Sequence, residues 1–298
     1  MGTVGLLCVS ISAYLIGNVF KKVYTNKLGE SKYSPIIYNA LVSLVVCVFF
    51  LFFGINTVST FTLLLSVAFG VVLVLSTFLN VKAFSIGPMS LSTVIISFST
   101  VFTAASGAIF YGETITWSHI VGIVLMLMSF IFAANKNKDD KKASFKWLIV
   151  CVCASVFCGM IGILQKVHQT SAYKLELNEF LLISFLLSTL ISLIWLVIAF
   201  NKDGNKFSSL NVKDNKKSIL SCLLICLISG IAIGTNHKLN LFLSGVMDSA
   251  TFFPLVNGTG LVLSTLSALV IFRERLSVKQ WISVIVGVIS VIFLCNPF

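Results

Sequence analysis

The sequence predicts an all-α integral membrane protein of ten transmembrane helices, and three observations carry that prediction. The first is composition: of 298 residues, 57% are hydrophobic and only 10% charged, against about 25% charged in a soluble globular chain. The second is that the apolar residues fall into ten separate runs near the length of about 20 residues that a span requires. The third is that positive charge collects in alternate connections between those runs. With 26 Phe and 4 Pro, the chain is neither disordered nor collagen-like. A net charge of +11 does not indicate nucleic acid, because so apolar a chain has no broad solvated face on which to gather its lysines.

The first run covers about 3–20 and is followed by Lys21 and Lys22. A signal peptide carries its positive charge ahead of the apolar stretch, so this run is expected to be a retained helix. Runs at 36–53 and 61–81 flank the turn Phe53-Gly54-Ile55-Asn56, and 89–110 follows Ser85-Ile86-Gly87-Pro88. The fifth run is 118–134. Beyond the basic connection Asn135–Lys146 come 147–165 and 180–200, and beyond Asn201–Lys217 come 218–236, 250–272 and 281–295. Trp117, Trp147 and Trp281 fall at predicted helix ends, where an indole favours the headgroup zone. All eight cysteines lie inside apolar runs. Cys222 and Cys226 are one helical turn apart, but no His or acid nearby completes a zinc shell, so they are expected to be small apolar residues, with no metal and no cofactor.

Numbering the connections one to nine sorts the basic residues. The odd connections hold Lys21, Lys22, Lys27 and Lys32, then Lys82, five lysines in 135–146, five in 201–217, and Arg273, Arg275 and Lys279; the even ones hold only Lys166, Lys174 and Lys238. A miscounted span would scramble this division, so it supports ten. By the positive-inside rule the odd connections are expected in the cytoplasm and both termini outside.

Three short segments recur in the same order in each half. Phe20-Lys21-Lys22-Val23-Tyr24-Thr25 matches Leu164-Gln165-Lys166-Val167-His168-Gln169; Asn80-Val81-Lys82 matches Asn236-His237-Lys238; Gly112-Glu113-Thr114-Ile115-Thr116 matches Arg273-Glu274-Arg275-Leu276-Ser277. Each falls at an equivalent helix end. Five spans per copy is an odd number, so the second copy must cross in the opposite sense, giving two inverted five-helix repeats.

Together these motifs resemble the drug/metabolite transporter superfamily, of the EamA type. The fourth helix of each repeat ends in a glutamate turn at Glu113 or Glu274, with a polar residue six positions on, His119 or Gln280, and a glycine in the next helix, Gly122 or Gly287. The resemblance covers the whole chain and implies a first repeat at 1–134, a basic connecting loop at 135–146 and a second repeat at 147–298. The Glu-Pro pair usual midway along helices 4 and 9 of the family is absent: Pro254 sits earlier and Ser99-Thr100 stands near the expected place. Most members keep both termini in the cytoplasm, opposite to the charge distribution here. The sugar-uptake branch resembles this chain more closely in charge layout and in Ser264-Thr265-Leu266 running into Arg273-Glu274-Arg275.

Polar side chains inside apolar runs are costly in hydrocarbon and tend to face the bundle interior or water. The expected substrate-binding set is Asn18, Tyr38, Asn80, Lys82, Ser97, Gln165, Asn236, His237, Lys238 and Asn257. Asn39, Asn240 and a row of Ser92, Thr93, Ser97, Ser99, Thr100 and Thr103 add further amides and hydroxyls. Such groups exchange hydrogen bonds with a sugar, an amino-acid backbone or a nucleobase; the alternative is that they tie helices together. Lys82 and Lys238 are either attractors for a carboxylate or phosphate or lysines snorkelling at helix ends. His237 is the candidate for proton coupling, with Asp248 second. For Asp248 the competing role is capping the ninth helix, and for Glu113 and Glu274 it is capping or loop anchoring.

With no membrane-embedded carboxylate in the first five spans beyond Glu113 at a helix end, cationic drug efflux is disfavoured. The sequence has no P-loop, H-E-x-x-H or nucleophile elbow. The expectation is therefore a secondary transporter, not an enzyme, in the cell membrane. Its partners are the lipid bilayer and a small polar solute, with no nucleic acid. The alternatives are a sugar-uptake permease of the same superfamily, a non-transporting membrane subunit or a membrane-embedded enzyme.

Overall fold

A computed structural model describes residues 2–28, 33–86, 92, 95, 96, 98–133, 144–202, 216–271 and 277–295. Among the described residues there are ten helices and no strand: α1 (Thr3–Leu28), α2 (Ser34–Leu51), α3 (Thr60–Ile86), α4 (Ser99–Tyr111), α5 (Trp117–Ala133), α6 (Phe145–Thr170), α7 (Leu177–Lys202), α8 (Lys216–Val246), α9 (Ser249–Val270) and α10 (Val278–Cys295). Each expected run contains one of these helices, as hydrocarbon demands of a backbone that must bond to itself; in the run at 89–110 the helix begins only at Ser99, after a turn at Phe98, with Ser92, Ile95 and Ile96 helical ahead of it. Among the described residues five stretches are long and apolar enough to cross a membrane: Thr3–Lys21, Thr60–Asn80, Phe145–Thr170, Leu177–Asn201 and Leu220–Val246. Ile36–Leu51, Trp117–Phe132 and Val278–Leu294 are apolar but shorter.

Several helices outrun their apolar stretches. α1 reaches Leu28, α3 Ile86, α6 Thr170 and α8 Val246, so Lys21, Lys22, Lys82, Lys166 and Lys238, assigned above to connections, all lie on helices. The physical reason is that loss of apolarity marks where hydrocarbon ends, whereas a helix continues for as long as its backbone bonds do. The turns obey local chemistry. Gly54 and Gly112 take φ of 79° and 64°, left-handed values open to glycine at little cost, and they follow α2 and α4. Trp147 departs from expectation: it is buried, packs on Ala83 and Cys151, and its indole N–H donates to Ser92 Oγ at 2.8 Å. Ser92 offers that indole a buried acceptor, which replaces the headgroup contact.

The chain divides into two compact units, Met1–Val74 with Ser171–Asn240, and Leu75–Thr170 with Leu241–Phe298. In the first, α2 lies antiparallel to α7: Asn39 Nδ2 donates to Ser192 Oγ at 2.8 Å, and one turn along Ser43 and Ser188 hydroxyls meet at 3.3 Å. Gly230 and Gly234 of α8 face α2, with Val45 and Val42 against Gly230 and Phe49 and Val46 against Gly234. Gly230-x-x-x-Gly234 is therefore a close-packing face, of the kind small residues four apart give on membrane helices. Glu179 and Glu176, at the start of α7, accept the Asn56 and Ser59 backbone N–H groups at 2.8 and 3.0 Å and so tie down the turn before α3.

In the second unit α5 and α10 are antiparallel. Ser129 Oγ donates to the Ser283 carbonyl, and Ser290 Oγ to the Gly122 carbonyl, both at 2.8 Å. α4 and α9 are antiparallel as well, since Thr100 meets Asn257 while Gly107 lies against Ser249. The recurring Thr116…His119 and Ser277…Gln280 are capping boxes at the starts of α5 and α10. Thr116 N–H donates to His119 Nδ1 at 3.2 Å, and Ser277 N–H to Gln280 Oε1 at 2.8 Å, each satisfying a helix-start donor.

Candidate functional site

In the first unit the polar residues gather on α8. Asn236 is buried; its Nδ2 donates to the Ser10 carbonyl at 3.0 Å and to Ser10 Oγ at 3.1 Å. Ser10 Oγ donates to Asn240 Oδ1 at 2.6 Å, and Asn240 Nδ2 returns to Asn236 Oδ1 at 3.3 Å. This closed ring joins α1 to α8 and engages both amide hydrogens of Asn236. His237, next along, has its ring edge-on to Phe185 and Phe69, with centroids 5.2 and 6.4 Å away. Its Nδ1 is buried with no hydrogen-bond partner. Tyr38 packs on Tyr24 at 4.8 Å. Lys238 Nζ sits 3.3 Å from the Phe53 ring centroid, a cation–π seat. Asn18 is half-buried on α1.

In the second unit Asn80 Nδ2 donates to the Ser76 carbonyl one turn back at 2.7 Å and lies 3.4 Å from Cys158 Sγ on α6. The Lys82 ammonium lies 5.5 Å from the Phe78 ring, and Gln165 is buried. Thr103 bonds the Thr100 carbonyl of its own helix. Ser97, Thr93, Glu274, Arg273 and Arg275 lie outside the described residues.

Asn257 is different from the other amides. It is exposed, although Phe252, Phe253, Leu255 and Val256 just before it on α9 are buried. Its Nδ2 donates to Thr100 Oγ1 of α4 at 3.0 Å. An amide fixed by one hydrogen bond still has its carbonyl oxygen and a second N–H to offer.

The densest polar cluster went unpredicted. Glu113 Oε1 lies 2.7 Å from Lys166 Nζ, with both side chains 7% exposed. Glu113 Oε2 accepts the Ser249 backbone N–H at 2.6 Å, and Ser249 Oγ donates to Oε1 at 3.3 Å. Lys166 also donates to the Met247 carbonyl at 2.9 Å and lies 5.8 Å from the Tyr111 ring. A buried ion pair must offset a desolvation penalty of several kcal/mol per ion, on the order the handful of extra bonds can repay; here the positive end of the α9 dipole adds to them. Asp248, expected as capper or coupling group, occupies the N-cap position of α9 at φ −66°, ψ 139° but makes no side-chain cap bond, and it is exposed. The capping carboxylate comes from another helix end instead. Sequence marked Glu113 as an anchor but could not name its partner, and Lys166 was legible only as a misplaced loop charge. Among the described residues no three His, Cys, Asp or Glu side chains cluster to hold a metal.

Comparison with known proteins agrees with this architecture. No functionally curated protein matches the sequence. A solved crystal structure superposes with a TM-score of 0.70 over 98% of both chains at 13% identity, a likeness of fold alone. Residues 3–134, which carry α1 to α5, match the EamA-like transporter family. Over that stretch, somewhat less than half of the chain, the sequence is similar to the EamA-like transporter family.

Proposed function

We propose that the protein is a secondary transporter of the cell membrane that moves a small polar metabolite by alternating access, built from inverted repeats at 1–134 and 147–298. Asn257 carries the proposal. An amide on an apolar membrane helix is costly if it meets lipid, so an exposed one belongs on a water-filled solute path. There its free carbonyl oxygen and remaining N–H can meet hydroxyl, amine or amide groups. The repeat reading draws support from the helix pairs α2/α7, α4/α9 and α5/α10. Each joins helices of the same rank in the two halves, and each is antiparallel. Asn80 and Asn236 add to it, since each reaches the first helix of the opposite half. Neutral amides and hydroxyls favour neutral polar solutes such as sugars alongside amino acids.

The test is counterflow of labelled sugars, amino acids, nucleosides and choline-like amines in proteoliposomes. Flux is expected for at least one class, and Asn257→Ala should lower it about fivefold, the worth of one net hydrogen bond. An Asn257→Ala protein that transports at the parent rate would remove this residue from the path. Absence of flux and of any thermal shift across the panel would remove the polar-metabolite reading.

A further inference from the structure

We infer that Glu113 and Lys166 are positioning residues: by holding the first residue of α9 they set its register along α4, and so place the Asn257 carboxamide. The inference rests on the reading of Asn257 as a solute contact. Glu113 Oε2 grips the Ser249 N–H, and Asn257 lies eight residues further along the same helix, about 12 Å at 1.5 Å per residue. Pro254 stands between the two and removes one backbone bond, but the helix runs on from Ser249 to Val270, so a displacement at its start is passed to the amide. α4 meets α9 through polar contacts at two levels, charged at Ser249 and neutral where Asn257 meets Thr100.

Three local features serve this grip. Gly112, with φ of 64°, ends α4 and turns the chain so that Glu113 follows at once. Gly107 leaves the space the carboxylate occupies: a Cβ there would collide with Glu113 Oε2 and come within 2.7 Å of Ser249 Cβ. Lys166 supplies the counter-charge and takes the Met247 carbonyl, so the short α8–α9 turn is held on both sides of Asp248.

The test uses full-length chain in a cysteine-free background carrying Asn257→Cys, read by its rate of modification with a charged, membrane-impermeant methanethiosulfonate. Ser249→Pro cuts only the grip. Position 249 opens the helix, where proline's φ fits and its missing N–H is otherwise unpaired, and the Asp248 backbone is already in the extended region that precedes proline. Glu113→Ala with Lys166→Met removes the acceptor without stranding a buried charge, whereas Glu113→Gln with Lys166→Met keeps an acceptor oxygen. Ser249→Pro and the Ala/Met pair should each change the rate by about threefold or more, with the Gln/Met pair returning toward the parent. Equal rates in all backgrounds overturn the inference. So does failure of every grip variant to give monodisperse protein in detergent, which would make the pair a folding requirement. An unreactive Asn257→Cys in the parent instead overturns the reading of Asn257 as solute-facing.

Discussion

Glu113 caps a helix that it does not belong to, and that single arrangement shows what residue chemistry can and cannot announce. A carboxylate beside a left-handed glycine is legible as an anchor; the identity of the anchored N–H, 136 residues away at Ser249, is not. The two asparagines matched between the halves illustrate the same divide. Asn236 closes a ring with Ser10 and Asn240, whereas Asn80 donates to its own helix and to a sulfur. Asn236→Ala should therefore destabilise the protein by about 1 kcal/mol, a representative value for interhelical hydrogen bonds in membranes, and Asn80→Ala by less. Thermal unfolding in detergent distinguishes them, and equal shifts would mean that the ring contributes nothing beyond its size.

At the scale of elements, packing hinges on small residues at crossings. A Cβ on Gly230 would run into Val45 on α2 and lie 3.3 Å from the Val42 carbonyl, while one on Gly17 would meet only the Ile233 side chain at 3.1 Å. Backbone yields less readily than an isoleucine branch. Gly230→Ala is thus expected to cost about 1–3 kcal/mol through overpacking and Gly17→Ala clearly less, measured by loss of midpoint temperature in the same detergent. Helix existence was legible in the described residues, because each apolar run contains a helix. Helix ends were not. α8 continues to Val246, past an Asn-His-Lys segment whose polarity suggested a stop. Lys238 is accommodated there by the Phe53 ring and Asn236 by Ser10, contacts that no local pattern contains.

For the whole molecule, the asymmetric placement of lysine and arginine predicts that the outer ends of α1 and α10 face away from the cytoplasm. A green-fluorescent fusion placed behind α10 and expressed in bacteria should stay dark. A bright fusion would reverse the orientation and restore the family's usual one. Two compact units, each taking helices from both halves of the chain, are the level at which sequence order and spatial order part company. The proposed repeat boundary lies in the basic segment 135–146, while the unit boundaries fall at Val74 and Leu75 within α3, after Thr170, and at Asn240 and Leu241 within α8.

Sequence alone marks a helical membrane protein, the ten helices of the described residues and the family that the chain resembles. Those properties follow from apolar run length and charge, both of which act locally along the chain. Only the tertiary structure decided which polar groups serve each other and which stay available. Asn236, Lys238 and Glu113 are engaged by partners far away in sequence, while Asn257 keeps part of its amide free. A hydrogen bond is satisfied by proximity and angle in space, and neither is written in the spacing of residues along a helix.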